Sequence, residues 1–209
     1  MLRVLPLLPL LSLLFSSAAC ALMPIALPKC PPKRATCIAL DLWLPPQFDD
    51  VAWLETQLEV ANDRLAAIGA GVQVVAIHTL GEELAQIDTV TQRNELGKLG
   101  KQTPLRWFVV RHLADASDPN AVRKGVTWRA GEAVWVIESQ TGMRWVLAHE
   151  LGHVLGLAHS TEAASIMNKK PRVWPPPWQI GFTAREQPVL RRTLMRLVKQ
   201  KRLALTRPE

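Results

Sequence analysis

The chain has 209 residues, room for one domain with its own core and too few for two comfortable ones. Hydrophobic residues at 48% and charged residues at 21% exclude disorder as the default state. Net charge is +7, with Lys and Arg crowded into residues 185–207. No basic–aromatic module accompanies them, so nucleic acid is not an expected partner.

Residues 1–20 read as a signal peptide: Arg3, an apolar run over 4–15, then Ser16-Ser17-Ala18-Ala19. The run is shorter than the roughly 20 residues a bilayer span needs, and Pro6 and Pro9 argue against a buried helix. The protein is therefore expected to be exported, either secreted or anchored to the cell envelope. Of three cysteines, Cys30 and Cys37 can pair in an oxidising compartment, constraining the unfolded chain by roughly 2–3 kcal/mol. Cys20 follows Ala18-Ala19 and resembles the lipidated cysteine of a bacterial lipoprotein, although Ser17 stands where such signals usually carry Leu. Cleavage after Ala21 would instead discard it. A Pro- and Cys-containing lead occupies 21–37, and one domain fills 38–209.

Within that domain, residues 38–44 read as a strand ended by Pro45-Pro46. Asp49 or Asp50 can cap a helix to about residue 68, stopped by Gly69 and Gly71. Residues 72–80 form a second strand. Residues 81–102 are polar without a clear period, suiting a short helix and a loop. Strands follow over 105–113, 125–129 and 133–138, with a loop over 115–120. Thr141 can cap a helix over 142–155, and Thr183-Ala184-Arg185-Glu186 has the form of a capping box opening a helix to about residue 203. This order implies an α+β domain with a mixed, mainly parallel sheet.

The chemistry concentrates in His149-Glu150-Leu151-Gly152-His153-Val154-Leu155-Gly156-Leu157-Ala158-His159. His149 and His153, four apart, share one helical face, and both imidazoles can reach one zinc ion at about 2.0–2.1 Å. Glu150, about 100° round the helix, stays beside the metal without binding it, as a base for metal-bound water must. His159 on a continuous helix would lie about 15 Å from His149 along the axis. The helix must break, and Gly156 stands where a left-handed turn would do so. Three imidazoles leave a fourth position open, as in a catalytic site.

This eleven-residue pattern resembles the motif of the metzincin metallopeptidases, in a chain with only 5 His. The resemblance implies a zincin-like fold: a twisted sheet with an active-site helix and a C-terminal helix. It implies one catalytic zinc ion, Glu150 as general base, and a peptide or protein substrate. Met167, eight residues past His159, is similar to the Met-turn methionine beneath the metal. Ser160 and the absence of Tyr resemble the matrixins, since the Tyr ligand of astacin- and serralysin-like enzymes has no counterpart. By position in that family, Gly125, Val126 and Thr127 would border the cleft and pair with substrate backbone, the alternative being an ordinary hairpin strand. Trp174 and Trp178 would line the pocket beyond the scissile bond or pack on the core. Pro28-Lys29-Cys30-Pro31 is faintly similar to the matrixin latency motif, a role that competes with the Cys30–Cys37 disulfide. His78 and His112 are expected to be structural or on the surface, and no structural zinc or calcium is expected.

The expected activity is a zinc-dependent metalloendopeptidase. The alternatives are a zinc hydrolase of cell-wall peptide amides and a non-catalytic zinc-containing binding protein. Membrane contact could arise through a lipidated Cys20 or the basic face of the last helix, which carries Arg191, Arg192, Arg196 and Lys199. Oligomeric state is not legible.

Overall fold

A computed structural model of the chain describes residues 27–101, 103–118, 120–170 and 173–207. The signal peptide and Cys20 lie outside the described residues. Eight strands are described: β1 (Thr36–Leu44), β2 (Ala70–Thr79), β3 (Gln86–Ile87), β4 (Leu105–Val110), β5 (His112–Leu113), β6 (Gly125–Ala130), β7 (Ala133–Ser139) and β8 (Leu205–Thr206). Four α-helices accompany them: α1 (Val51–Leu65), α2 (Val90–Leu96), α3 (Val146–Val154) and α4 (Gln187–Lys199).

The main sheet runs β2-β1-β4-β7-β6. The β1–β2, β1–β4 and β4–β7 pairs are parallel, whereas β6 joins β7 antiparallel at the edge. The expected mixed, mainly parallel sheet forms, with the histidine-bearing helix α3 and the C-terminal helix α4. Strands buried on both faces explain the near-continuous apolar runs of β1, β4 and β7. Ile38, Leu40, Leu42, Trp107, Val109 and Val136 face the core shared with α1, α3 and α4. Phe108, Val110, Trp135 and Ile137 face a second cluster with Leu80, Leu84, Ile87 and Leu96. Cys30 and Cys37 are joined by a disulfide that ties the lead to β1. Cys30 is thus no free thiol, and the latency role is set aside.

Several boundaries differ from expectation. The single strand over 105–113 is two: β4 stays in the main sheet, while β5 leaves it to pair with β3. Between them the amide of Arg111 donates to Ala85 O and its guanidinium reaches Glu82 and Pro46 O, which turns the chain outward. Within the polar stretch, α2 starts at a capping box made by Thr89 and Gln92. Asp50 caps α1, its carboxylate accepting from Trp53 N at 2.9 Å.

The histidine-bearing helix α3 begins four residues later than the sequence suggests. Thr141 is no cap, because its hydroxyl meets Ser139 and Lys124 instead. Two side chains of α1 occupy the backbone that would have opened the helix. Trp53 Nε1 donates to Gly142 O, and Gln57 Nε2 donates to Met143 O while its Oε1 accepts from Leu147 N. Buried Gln57 therefore substitutes for one helical peptide pair and closes the N-terminus of α3 from outside.

The last helix is also shorter, spanning Gln187–Lys199. Glu186 accepts from Thr183 N at 2.7 Å, but the Thr183 hydroxyl has no partner, so only half of the capping box is made. Lys201, at φ 57°, ends the helix early. Its Leu190, Leu194 and Leu197 are buried, which seats it on the core. No described helix is long and apolar enough to cross a membrane.

Candidate metal centre

The helix α3 delivers His149 and His153 from one face, and the turn after it returns His159. Gly156 sits at φ 93°, a left-handed conformation that L side chains rarely adopt. Its N–H donates to His153 O, and Leu157 N donates to Gly152 O at 2.9 Å, the double closure of a Schellman motif. The reversal brings the ligand atoms of His149, His153 and His159 within 4.8 Å of one another.

The donor set fits a zinc ion. His149 Nδ1 lies 2.8 Å from Ile166 O, and His153 Nδ1 lies 2.8 Å from Leu157 O. Each carbonyl accepts the Nδ1 proton, which leaves Nε2 as the basic nitrogen and fixes the ring's orientation. Burial holds His153 and His159 below the usual histidine range, His153 and nearby cations adding to the effect at His159. Both rings therefore favour the neutral form a metal ligand must have.

Met167, expected to be a Met-turn residue, lies behind the helix. Met167 is fully buried, and a Cβ added to Gly152 would come within 2.4 Å of its sulfur. Only a glycine lets α3 approach that closely. Ser165 Oγ accepts from Met167 N and donates to Glu186 Oε1 at 2.6 Å, so α4 braces the turn that in turn braces His149.

Glu150 lies on the same helix, only 5% exposed. The Thr127 hydroxyl is 2.8 Å from its Oε2 and 2.9 Å from its backbone carbonyl. Burial pushes the Glu150 carboxyl up to about 7, against the Thr127 hydrogen bonds and Arg123, which act in the opposite sense. A bound dication would pull it back down. Gly125 lies beside it: an added Cβ would meet Val146 at 2.5 Å and Glu150 Oε1 at 3.0 Å. The edge strand thus passes over the carboxylate because residue 125 has no side chain.

Gly125, Val126 and Thr127 line a depression of ≈ 440 Å³ with Glu150, His153 and His159. A larger one of ≈ 600 Å³ opens on the other side, lined by Met143, Val146, His149, Ile166, Val173 and Ile180 among others. The expectation for Trp174 and Trp178 needs correction. Both are 72% exposed, neither in the core nor against the larger cavity. The proline-rich segment turns Pro175 and Pro177 toward that cavity and leaves the indoles outside. Away from the centre, His78 Nε2 is 2.6 Å from Asp41 and its ring stacks on Trp43, while His112 lies 3.7 Å from Asp88.

Sequence reasoning missed Thr127 as the partner of Glu150, together with Gln57 and Glu186. Each acts across elements 23, 90 and 21 residues apart in sequence, and no local spacing signals such a contact.

The Matrixin family model matches residues 107–176, less than half of the chain but including the whole centre. No curated protein matches. Among solved structures, archaemetzincin from Methanopyrus kandleri aligns with TM-score 0.53 at 16% identity, over 76% of this chain and 96% of that one. The metalloproteinase-II of Bacteroides fragilis aligns with TM-score 0.55 at 16% identity, over 80% of this chain and 55% of that one. The chain is similar to these metallopeptidases in fold. A chaperone–substrate complex aligns at TM-score 0.42 and 17% identity, over 61% of this chain and 27% of that one. The chain therefore spans under two thirds of two of these three proteins. The Matrixin match and the histidine triad meet on the same helix and turn.

Proposed function

We propose that the chain is a zinc-dependent metallopeptidase that cleaves peptide bonds within an extended segment lying along β6. One observation carries this reading: three histidines converge on one point, with the buried carboxylate of Glu150 beside them and a substrate-sized cleft above. Zinc, when bound by His149, His153 and His159, supplies Lewis acidity and makes a water acidic enough to lose a proton near neutral pH.

The chain's own residues supply the rest. Glu150 takes that proton and returns it to the leaving amine. Thr127 holds the carboxylate in place between the two transfers. Gly125 keeps the space beside Glu150 open. Among the described strands β6 pairs only with β7, so its outer edge can add a peptide strand by backbone hydrogen bonds. Export, and attachment through Cys20, belong to the same proposal and suit the disulfide.

The test is turnover of a mixed peptide library by purified protein with and without chelator, beside Glu150→Gln. Cleavage by the wild type should vanish with chelator and return with zinc, and Glu150→Gln should lose at least about 10²-fold in rate while retaining zinc. Full activity of Glu150→Gln would remove Glu150 from the base role. Stoichiometric zinc binding without any cleavage would favour a non-catalytic binding protein.

A further inference from the structure

The two depressions are bordered by cations out of proportion to their carboxylates. Arg123 and Lys124 lead into β6, Arg129 lies along it, and Lys169 and Lys170 stand on the opposite wall. All five are exposed. Glu150 is the sole carboxylate lining either depression among the described residues, and it is on the floor. Asp115 pairs with Arg123, and Glu162 lies 3.8 Å from Arg185. Lys124, Arg129, Lys169 and Lys170 have no carboxylate within ion-pair distance among the described residues. Lys124 reaches Thr141 and Arg129 reaches His153 O.

Such a ring is unfavourable for a site that takes a dication. Like charges border both depressions, and Glu150 is the one carboxylate among the described residues that line them. An anionic occupant would offset the repulsion and be steered in by it. The larger cavity adds a second constraint. Its apolar walls include Val146, Ile166 and Ile180, and its mouth exposes Met143 and Val173. Those surfaces would be covered by a bulky apolar side chain.

We propose that the substrate is an acidic peptide, whose Asp or Glu residues flanking the cleaved bond meet Lys124, Lys169 and Lys170 on one side and Arg129 on the other. This rests on the peptidase reading above but makes a separate claim about what the groove holds.

The test uses quenched fluorescent peptides that share one Leu or Phe and differ only in flanks of Glu, Gln or Lys. The wild type should cleave the Glu series about fivefold or more better than the Gln series, with Lys last. The gap should shrink as salt is raised. Lys169→Glu with Lys170→Glu, both exposed positions, should erase or invert the Glu-over-Lys order while cleavage of the Gln series persists. Equal cleavage of all three series, or a preference for Lys, overturns the proposal. If no peptide is cleaved, the peptidase reading fails on its own. Anisotropy of the same labelled peptides on wild-type protein then decides: tighter binding of the Glu series upholds the acidic ligand, and equal binding overturns it.

Discussion

Thr127 and Glu150 meet across 23 residues of sequence, and the contact sets a division of labour. In the proposed reaction Glu150 has the chemistry, and Thr127 has the geometry. Thr127→Val keeps the shape of the side chain and removes the hydroxyl. It should lower kcat by about tenfold with little change in KM or zinc content, because orienting partners of this kind are worth 10–100-fold. Stopped assays over a substrate series with metal analysis check the split. Glu138 is a second buried carboxyl, bonded through Oε2 to Trp107 Nε1 at 3.1 Å. Burial raises its carboxyl well above the usual range, and Glu150 adds to the rise. With a folded pKa above the unfolded one, the folded state binds the extra proton. Stability is then fully present below the ordinary carboxylate pKa and falls as pH rises through the folded one. Glu138→Gln should therefore melt close to the wild type at acidic pH and above it at pH 8. A parallel pair of Tm-against-pH curves would show that Glu138 does not carry this dependence.

At the scale of elements, the centre depends on where α3 stops. Gly156→Ala would place a methyl group at φ 93° and 3.1 Å from Thr193 Oγ1. The left-handed backbone alone costs about 1–2 kcal/mol. The expected result is a lower Tm and a zinc affinity weakened by about tenfold or more, since the same turn returns His159. Calorimetric zinc titration checks this, and unchanged affinity would mean that His159 reaches the site without the Schellman turn. The start of α3 carries a different lesson. Its first free amide is closed by Gln57 from α1, 90 residues away in sequence, so no local cap signal marks it. Thr89 and Gln92 of α2 do carry a local signal, and Asp50 of α1 as well, because their caps bond within four residues.

For the whole molecule, the triad joins the helix, the turn after it and the turn at Met167, while Glu186 ties that last turn to the start of α4. A metal that binds only the folded form should stabilise all of them together. At free zinc a thousandfold above Kd the gain is about 4 kcal/mol, and for a chain of this size each kcal/mol moves Tm by roughly 2–4 °C. Chelator should therefore lower Tm by roughly 10 °C and zinc should restore it. Thermal scans with chelator followed by excess zinc check this, and an unchanged Tm would exclude specific binding to the native state. Both faces of the sheet are covered, α1, α3 and α4 on one side and the cluster around Leu96 and Trp135 on the other. The long apolar stretches of β1 and β4 suit burial on both faces.

The amino-acid sequence by itself determined the histidine triad, Glu150, the break at Gly156 and the mixed sheet. Each depends on spacing along the chain, and helical period and glycine conformation translate spacing directly into geometry. Tertiary structure alone decided that Thr127 holds Glu150, that Gln57 opens α3, that Glu186 braces the turn at Met167, and that Trp174 and Trp178 face outward. Those outcomes depend on which distant surfaces meet. Hydrogen-bond partners and charged rims of a cleft are supplied by whichever elements the packing brings together, and a one-dimensional pattern does not encode that choice locally.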